Sequence, residues 1–278
     1  MMLIWKRLLG IYMKEIRLAN KIITKLVKDH VHYPDRLIAD TFSMLARCGV
    51  LLVLYWYVFR LNGGVVNGVT FVVTAWSIFF YFSFSTLRLR DVSRSIMHDV
   101  QTGSVEVLFN KPISYLLYRF WWQIGFGLYS FLVVTIFGVL ILYFLIGVPE
   151  SMTLTLFLPT YLVTLIGASF LSLILYGIVG LLAFWIEDVN PVFWMVDKAV
   201  MILGGSYLAV ALFPKFLYQA ALYSPFGASL FVTHTVYDSW QSNWYILLAW
   251  QFFWIVFLGT VMHFLFVRAQ KKVSINGG

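Results

Sequence analysis

RLRDVSRSIMHDVQTGSVEVLFNKP, Arg88 to Pro112, is the longest polar interval with hydrophobic spans on both sides. Asp91, Arg94, Ser95, His98 and Thr102 fall at helical spacing on one face, while Leu89, Val92, Ile96 and Val100 line another. The spacing predicts a short amphipathic helix. Gly103 can end it in the left-handed conformation, and Ser104 can cap a second short helix. Glu106 then sits in that helix's first turn, where the backbone dipole favours a negative charge. Asn110-Lys111-Pro112 closes the unit, since proline cannot continue a helix interior. At a membrane surface, such a helix is either a place where a soluble partner pushes on a membrane domain or an amphipathic loop resting on lipid headgroups.

The flanking sequence fixes the class. Of 278 residues, 61% are hydrophobic and 12% charged, against roughly 25% charged in soluble chains. The excess of 20 Lys and Arg over 12 Asp and Glu could suggest nucleic acid, but these residues sit beside apolar spans. That placement signals membrane orientation, so no nucleic-acid partner is expected. Cys48 is the single cysteine, which excludes an intramolecular disulfide and a Cys-based metal cluster; its apolar neighbours make it a buried, inert thiol.

Six segments meet the length of about 20 mostly apolar residues that a membrane crossing needs. They are 38–60, 65–87, 114–147, 153–185, 192–213 and 243–267. The fold class expected is an all-α integral membrane protein with six transmembrane helices. The third and fourth exceed what roughly 30 Å of hydrocarbon requires and should tilt or project. Segment 214–240 is too apolar for a plain loop and is broken by Pro214 and Pro225, so it reads as re-entrant short helices in the outer half of the membrane.

Residues 1–36 read as an amphipathic interface helix rather than a cleavable signal peptide. Arg7, Lys14, Arg17, Lys21, Lys25 and Lys28 recur three, four or seven apart, with Leu8, Ile11, Leu18, Ile22 and Leu26 between them. Residues 37–272 then form the six-span domain. Eight basic residues lie in 1–36, five in 88–119 and three at Arg268, Lys271 and Lys272, while the other side holds only Arg60 and Lys215. This asymmetry predicts that both termini are cytoplasmic. Trp121, Trp122, Trp185 and Trp194 then mark the inner interface, and Trp56, Trp240 and Trp244 the outer one.

No enzymatic constellation stands out. There is no G-x-x-x-x-G-K-[ST] phosphate loop, no H-E-x-x-H, no C-x-x-C and no G-x-S-x-G, so no catalytic residue, cofactor or metal is assigned to this chain. His30 and His32 read as solvated, and His263 as a helix–helix hydrogen-bonding residue. Charges inside spans are costly and therefore informative. Asp40 and Arg47 are seven apart and share a face; Glu187 and Asp188 end the fourth span; Asp197 and Lys198 follow Asn190-Pro191 in the fifth. Pairing among these six, as a gate or a clamp, is the expected use, with a proton or cation relay as the other reading.

Gly103-Ser104-Val105-Glu106-Val107-Leu108, followed by Lys111-Pro112-Ile113, resembles the G-x-x-E-x-L-L-x-x-P-I signature of ABC-2 type transporter permeases, in the branch without a fused ATPase. Phe109 departs from the pattern's second Leu but stays apolar. Leu203-Gly204-Gly205, Phe213-Pro214 and Ser224-Pro225-Phe226 are similar to that family's Gly-Gly and Pro-rich segment before the last span. The resemblance implies an exporter's membrane subunit in the cell membrane. It implies a coupling segment over 88–112 that meets a separate ABC ATPase through Arg90, Asp91, Arg94, His98, Gly103 and Glu106. Gly204, Gly205, Pro214 and Pro225 would shape the re-entrant segment. ATP and Mg would sit on the partner ATPase, and a second permease copy or a paralogue would complete the path. The rival expectation is a secondary transporter or channel driven by an ion gradient, although no convincing internal repeat relates 38–147 to 153–267.

Overall fold

The computed structural model describes residues 17–29, 32, 35–109 and 114–276. Residues 1–16 of the expected interface helix, and the Asn110 to Ile113 end of the quoted stretch, lie outside the described residues. Where described, the first helix, α1 (17–29), exposes Lys21, Lys25 and Lys28 and buries Ala19 and Leu26.

Among the described residues, four helices are long and apolar enough to cross a membrane. They lie in α2 (Asp35–Leu61), α6 (Tyr115–Leu145), α7 (Leu154–Leu181, continued by a 3-10 turn to Phe184) and α11 (Asp238–Asn276). The chain is thus an all-α membrane protein. Two of the six expected spans are shorter helices. In place of a continuous 65–87 span, Val65–Val66 and Val69–Thr70 form a tiny antiparallel hairpin, and α3 covers only Phe71–Ser85. Asn67 and Gly68 both have positive φ, which suits the tight turn of a two-residue hairpin. Thr70 then caps α3 by accepting from the Val73 amide.

In place of a 192–213 span, α8 (Asn190–Leu203) stops at Gly204-Gly205, where Gly205 has φ +83°. Pro191 stands in the first turn of α8, where its missing N–H costs nothing. At about 1.5 Å per residue, α3 and α8 are each some 20 Å long, short of roughly 30 Å of hydrocarbon.

The core is built around α3 and α7. Residues Thr74 to Phe84 of α3 are all buried, so this helix is surrounded on every side. α7 packs against α11 and against α4 (Asp91–Gln101), where Gly180 lets the backbones approach: a Cβ there would lie 3.0 Å from the Ser93 Cα. Segment 214–240 folds as α9 (Lys215–Tyr223) and α10 (Pro225–Ala228), followed by a buried irregular stretch. Ser224 caps α10 through the Gly227 amide. Ser77 of α3 donates to the Thr233 carbonyl and bonds Tyr237, while Ser151 donates to the Val236 carbonyl. Protein thus covers the irregular backbone, which is the condition for its lying at membrane depth.

Trp240 corrects an expectation. It is 1% exposed and donates to Thr160 Oγ1, joining α11 to α7 rather than marking an interface. His263 is exposed beside the Phe264 ring, not buried between helices.

Candidate functional site: a surface corner and a charged cavity

The quoted stretch forms a two-helix corner. α4 buries Val92, Ser93, Ile96 and Asp99 while Arg94, His98 and Gln101 are exposed. Gly103, at φ +71°, turns the chain into α5 (Ser104–Phe109), with Glu106 exposed in its first turn. Ser104 does not cap α5; its hydroxyl turns back to Asp99, 3.3 Å from Oδ1.

Asp99 is the anchor of the corner. It is 2% exposed and accepts from Arg119 Nε at 2.7 Å, from a second Arg119 nitrogen and from Tyr115 Oη at 2.6 Å. A buried carboxylate needs such partners, because desolvation otherwise disfavours the charge. The bidentate fork fixes α4 to the first turns of α6 in one geometry. Just before α4, the chain is pinned again: Gln123 donates to the Arg88 carbonyl, and Arg88 itself has φ +53°.

The six residues expected at a partner's surface therefore divide. His98, Gly103 and Glu106 are exposed. Arg94 is exposed too, but its guanidinium lies 4.4 Å from the centre of the Phe193 ring and 5.8 Å from that of Trp194, both on α8. Asp91 is bound by Arg88 Nε at 2.9 Å. Arg90 is exposed as well, but its guanidinium lies 3.4 Å from both carboxylate oxygens of the buried Asp197.

That pair marks a half-open cavity of about 630 Å³ between α2, the end of α3, α7 and α8. Arg47, Arg88, Arg90 and Asp197 line it, with Tyr81, Tyr176, Ser85 and Ser206 among apolar side chains. Asp197 is 2% exposed and accepts from Tyr176 Oη at 3.0 Å as well as from Arg90. Partial burial alone would lower the Arg90 pKa, but the charges of Asp197 and Asp91, with Tyr176 and the hydrogen bond to Asp197, together outweigh it and hold the guanidinium above its usual value. Arg47 folds back along α2, donating to the Ser43 carbonyl and hydroxyl.

The remaining intramembrane charges do not join this group. Glu187 is exposed, with its carbonyl accepting from Gln101. Asp188 accepts from the amide and side chain of Asn190 at the start of α8. Lys198 sits 5.3 Å from the Trp194 ring centre. The Asp40 side chain lies outside the described residues. Gly204 is where α8 meets Leu230, whose Cδ1 would stand 2.0 Å from an added Cβ; Pro214 and Pro225 open α9 and α10.

Asp99, Arg119, Tyr115 and Tyr176 escaped the sequence reading. Asp99 fell between the two faces assigned to α4, and nothing in the sequence pairs it with a residue 20 positions away. Among the described residues no cluster of His, Cys, Asp or Glu could hold a metal ion. No family model matches the chain, and no curated protein matches it significantly.

Proposed function

We propose that the chain is the membrane subunit of an ABC-2 type exporter, coupled to a separate ATPase through the α4–Gly103–α5 corner. The supporting observation is the two-sided build of that corner. Its outer side offers His98, Gly103 and Glu106, while its inner side is bound to α6 by Asp99 and packed on α7 at Gly180. A push on the outer side therefore reaches two candidate spans with little slack. The signature-like residues Gly103, Glu106 and Leu108 fall in this corner, and the Lys and Arg bias supports a cytoplasmic position for it and both termini. In this reading α3 and α8 complete six crossings together with the segments that adjoin them. A second copy or a paralogue faces this one across the path, and nucleotide on the ATPase supplies the differential binding energy.

The test is ATPase activity and pull-down of the ATPase in a reconstituted complex. His98→Glu and Gly103→Val should both weaken coupling while the membrane domain still assembles, since neither side chain reaches a span. Wild-type binding and coupling in both variants would reduce the corner to a surface loop. The buried Asp197 carboxylate favours a second reading, a transporter driven by an ion gradient. Transport by the chain alone, abolished by collapsing the gradient, would select it.

A further inference from the structure

Arg47 stands inside the candidate span Thr41–Leu61 and is exposed in the folded chain. A guanidinium facing hydrocarbon is costly, and this one lines the cavity instead. Arg88 and Arg90 line the same space from the corner before α4, so three arginines and one carboxylate line the cavity. That carboxylate, Asp197, is already engaged by Arg90 and Tyr176. Asp91 engages Arg88 through Nε, and among the described residues no carboxylate lies on Arg47. The wall also carries an apolar part, Val50, Leu51, Phe82, Val200 and Leu230, beside hydroxyl groups such as those of Tyr81 and Ser206. The volume is that of a small-ligand site.

We infer that this cavity takes an anionic amphiphile as cargo, its phosphate-like head held by Arg47 and Arg88 and its alkyl chain along the apolar wall. The inference rests on the exporter reading for the word cargo, but not for the binding. Arginine suits the head because its planar fork meets phosphate oxygens in pairs. The Arg90–Asp197 pair borders the head site.

The probe is radiolabelled dodecyl phosphate, with the full chain in phosphatidylcholine nanodiscs; inorganic phosphate and dodecyltrimethylammonium are the competitors. Saturable binding is expected, displaced poorly by either competitor because each carries half of the required chemistry. Arg47→Gln with Arg88→Gln should weaken it by about tenfold, the scale of losing desolvated charge contacts. The matching Lys variants keep the charge and should lose less, and an unchanged melting curve shows that the fold is intact. Equal affinity for the cationic probe, or unchanged affinity in the Gln variants, overturns the site. In the reconstituted complex dodecyl phosphate should raise ATPase activity. Binding without that rise makes the ligand a resident lipid and overturns its role as cargo. If no ATPase associates, the exporter reading fails while the nanodisc result still decides the site.

Discussion

Arg90 and Asp197 are 107 residues apart in the chain and 3.4 Å apart in space, and they are unequal partners. The Asp197 side chain is 2% exposed and that of Arg90 49%. Removing the arginine strands a buried charge, whereas neutralising the acid leaves a guanidinium that water can still reach. Arg90→Ala should therefore cost about 2–3 kcal/mol and Asp197→Asn about 1 kcal/mol or less. Thermal unfolding in detergent measures both; the reverse order would contradict the burial asymmetry.

The Asp99 clamp should be the costlier to break. Arg119→Ala leaves the Asp99 carboxylate with Tyr115 and Ser104 alone, at about 3–5 kcal/mol. Tyr115→Phe removes one hydrogen bond to the same carboxylate, worth about 1–3 kcal/mol. A double-mutant cycle between these positions should give strong coupling, and additivity would mean that Asp99 is solvated.

Two glycines should fail for different reasons. At Gly103 nothing lies within 4 Å of an added Cβ, but φ is +71°. Gly103→Ala should then cost about 1–2 kcal/mol and Gly103→Asn less. At Gly227 the Cβ would meet the Ala221 carbonyl oxygen at 1.9 Å, so Ala and Asn should both destabilise by at least about 1–3 kcal/mol. Rescue by Asn at 227 would refute the steric account.

Orientation can be read with single thiols, because Cys48 is buried and can be replaced by Ala. His98 and Ser239 are both exposed. With an impermeant reagent on intact cells, Ser239→Cys should label and His98→Cys should not. The opposite pattern inverts the topology.

The long apolar runs made α6, α7 and α11 legible, and the periodicity of Leu89, Val92 and Ile96 did the same for α4. Gly103 announced its own left-handed turn. Val66-Asn67-Gly68-Val69 carried an equally local hairpin signal, but the apolar residues around it read more strongly as a span. Charge partners were illegible for another reason. Arg90 could be assigned to the partner-contact corner, yet whether it meets a partner or Asp197 depends on where α8 packs, a tertiary outcome. Trp240 misled in the same way, since a tryptophan near a span end fits an interface or a buried donor equally well.

Gly125 and Gly127 give the N-terminal half of α6 a property that no single contact there has. At Gly127 an added Cβ would lie 2.3 Å from the Leu87 carbonyl oxygen, and at Gly125 it would lie 3.0 Å from the Ile23 Cα of α1. Arg119, two turns earlier, holds Asp99. Three parts of the chain thus bear on one length of helix, two of them backbone against backbone. Such joints have no side chain to compress, so displacement at any one is transmitted to the others as rotation or sliding of α6 itself. If α6 moves during a transport cycle, that length would serve as a common axle, and a methyl group at Gly127 would press on the Leu87 backbone.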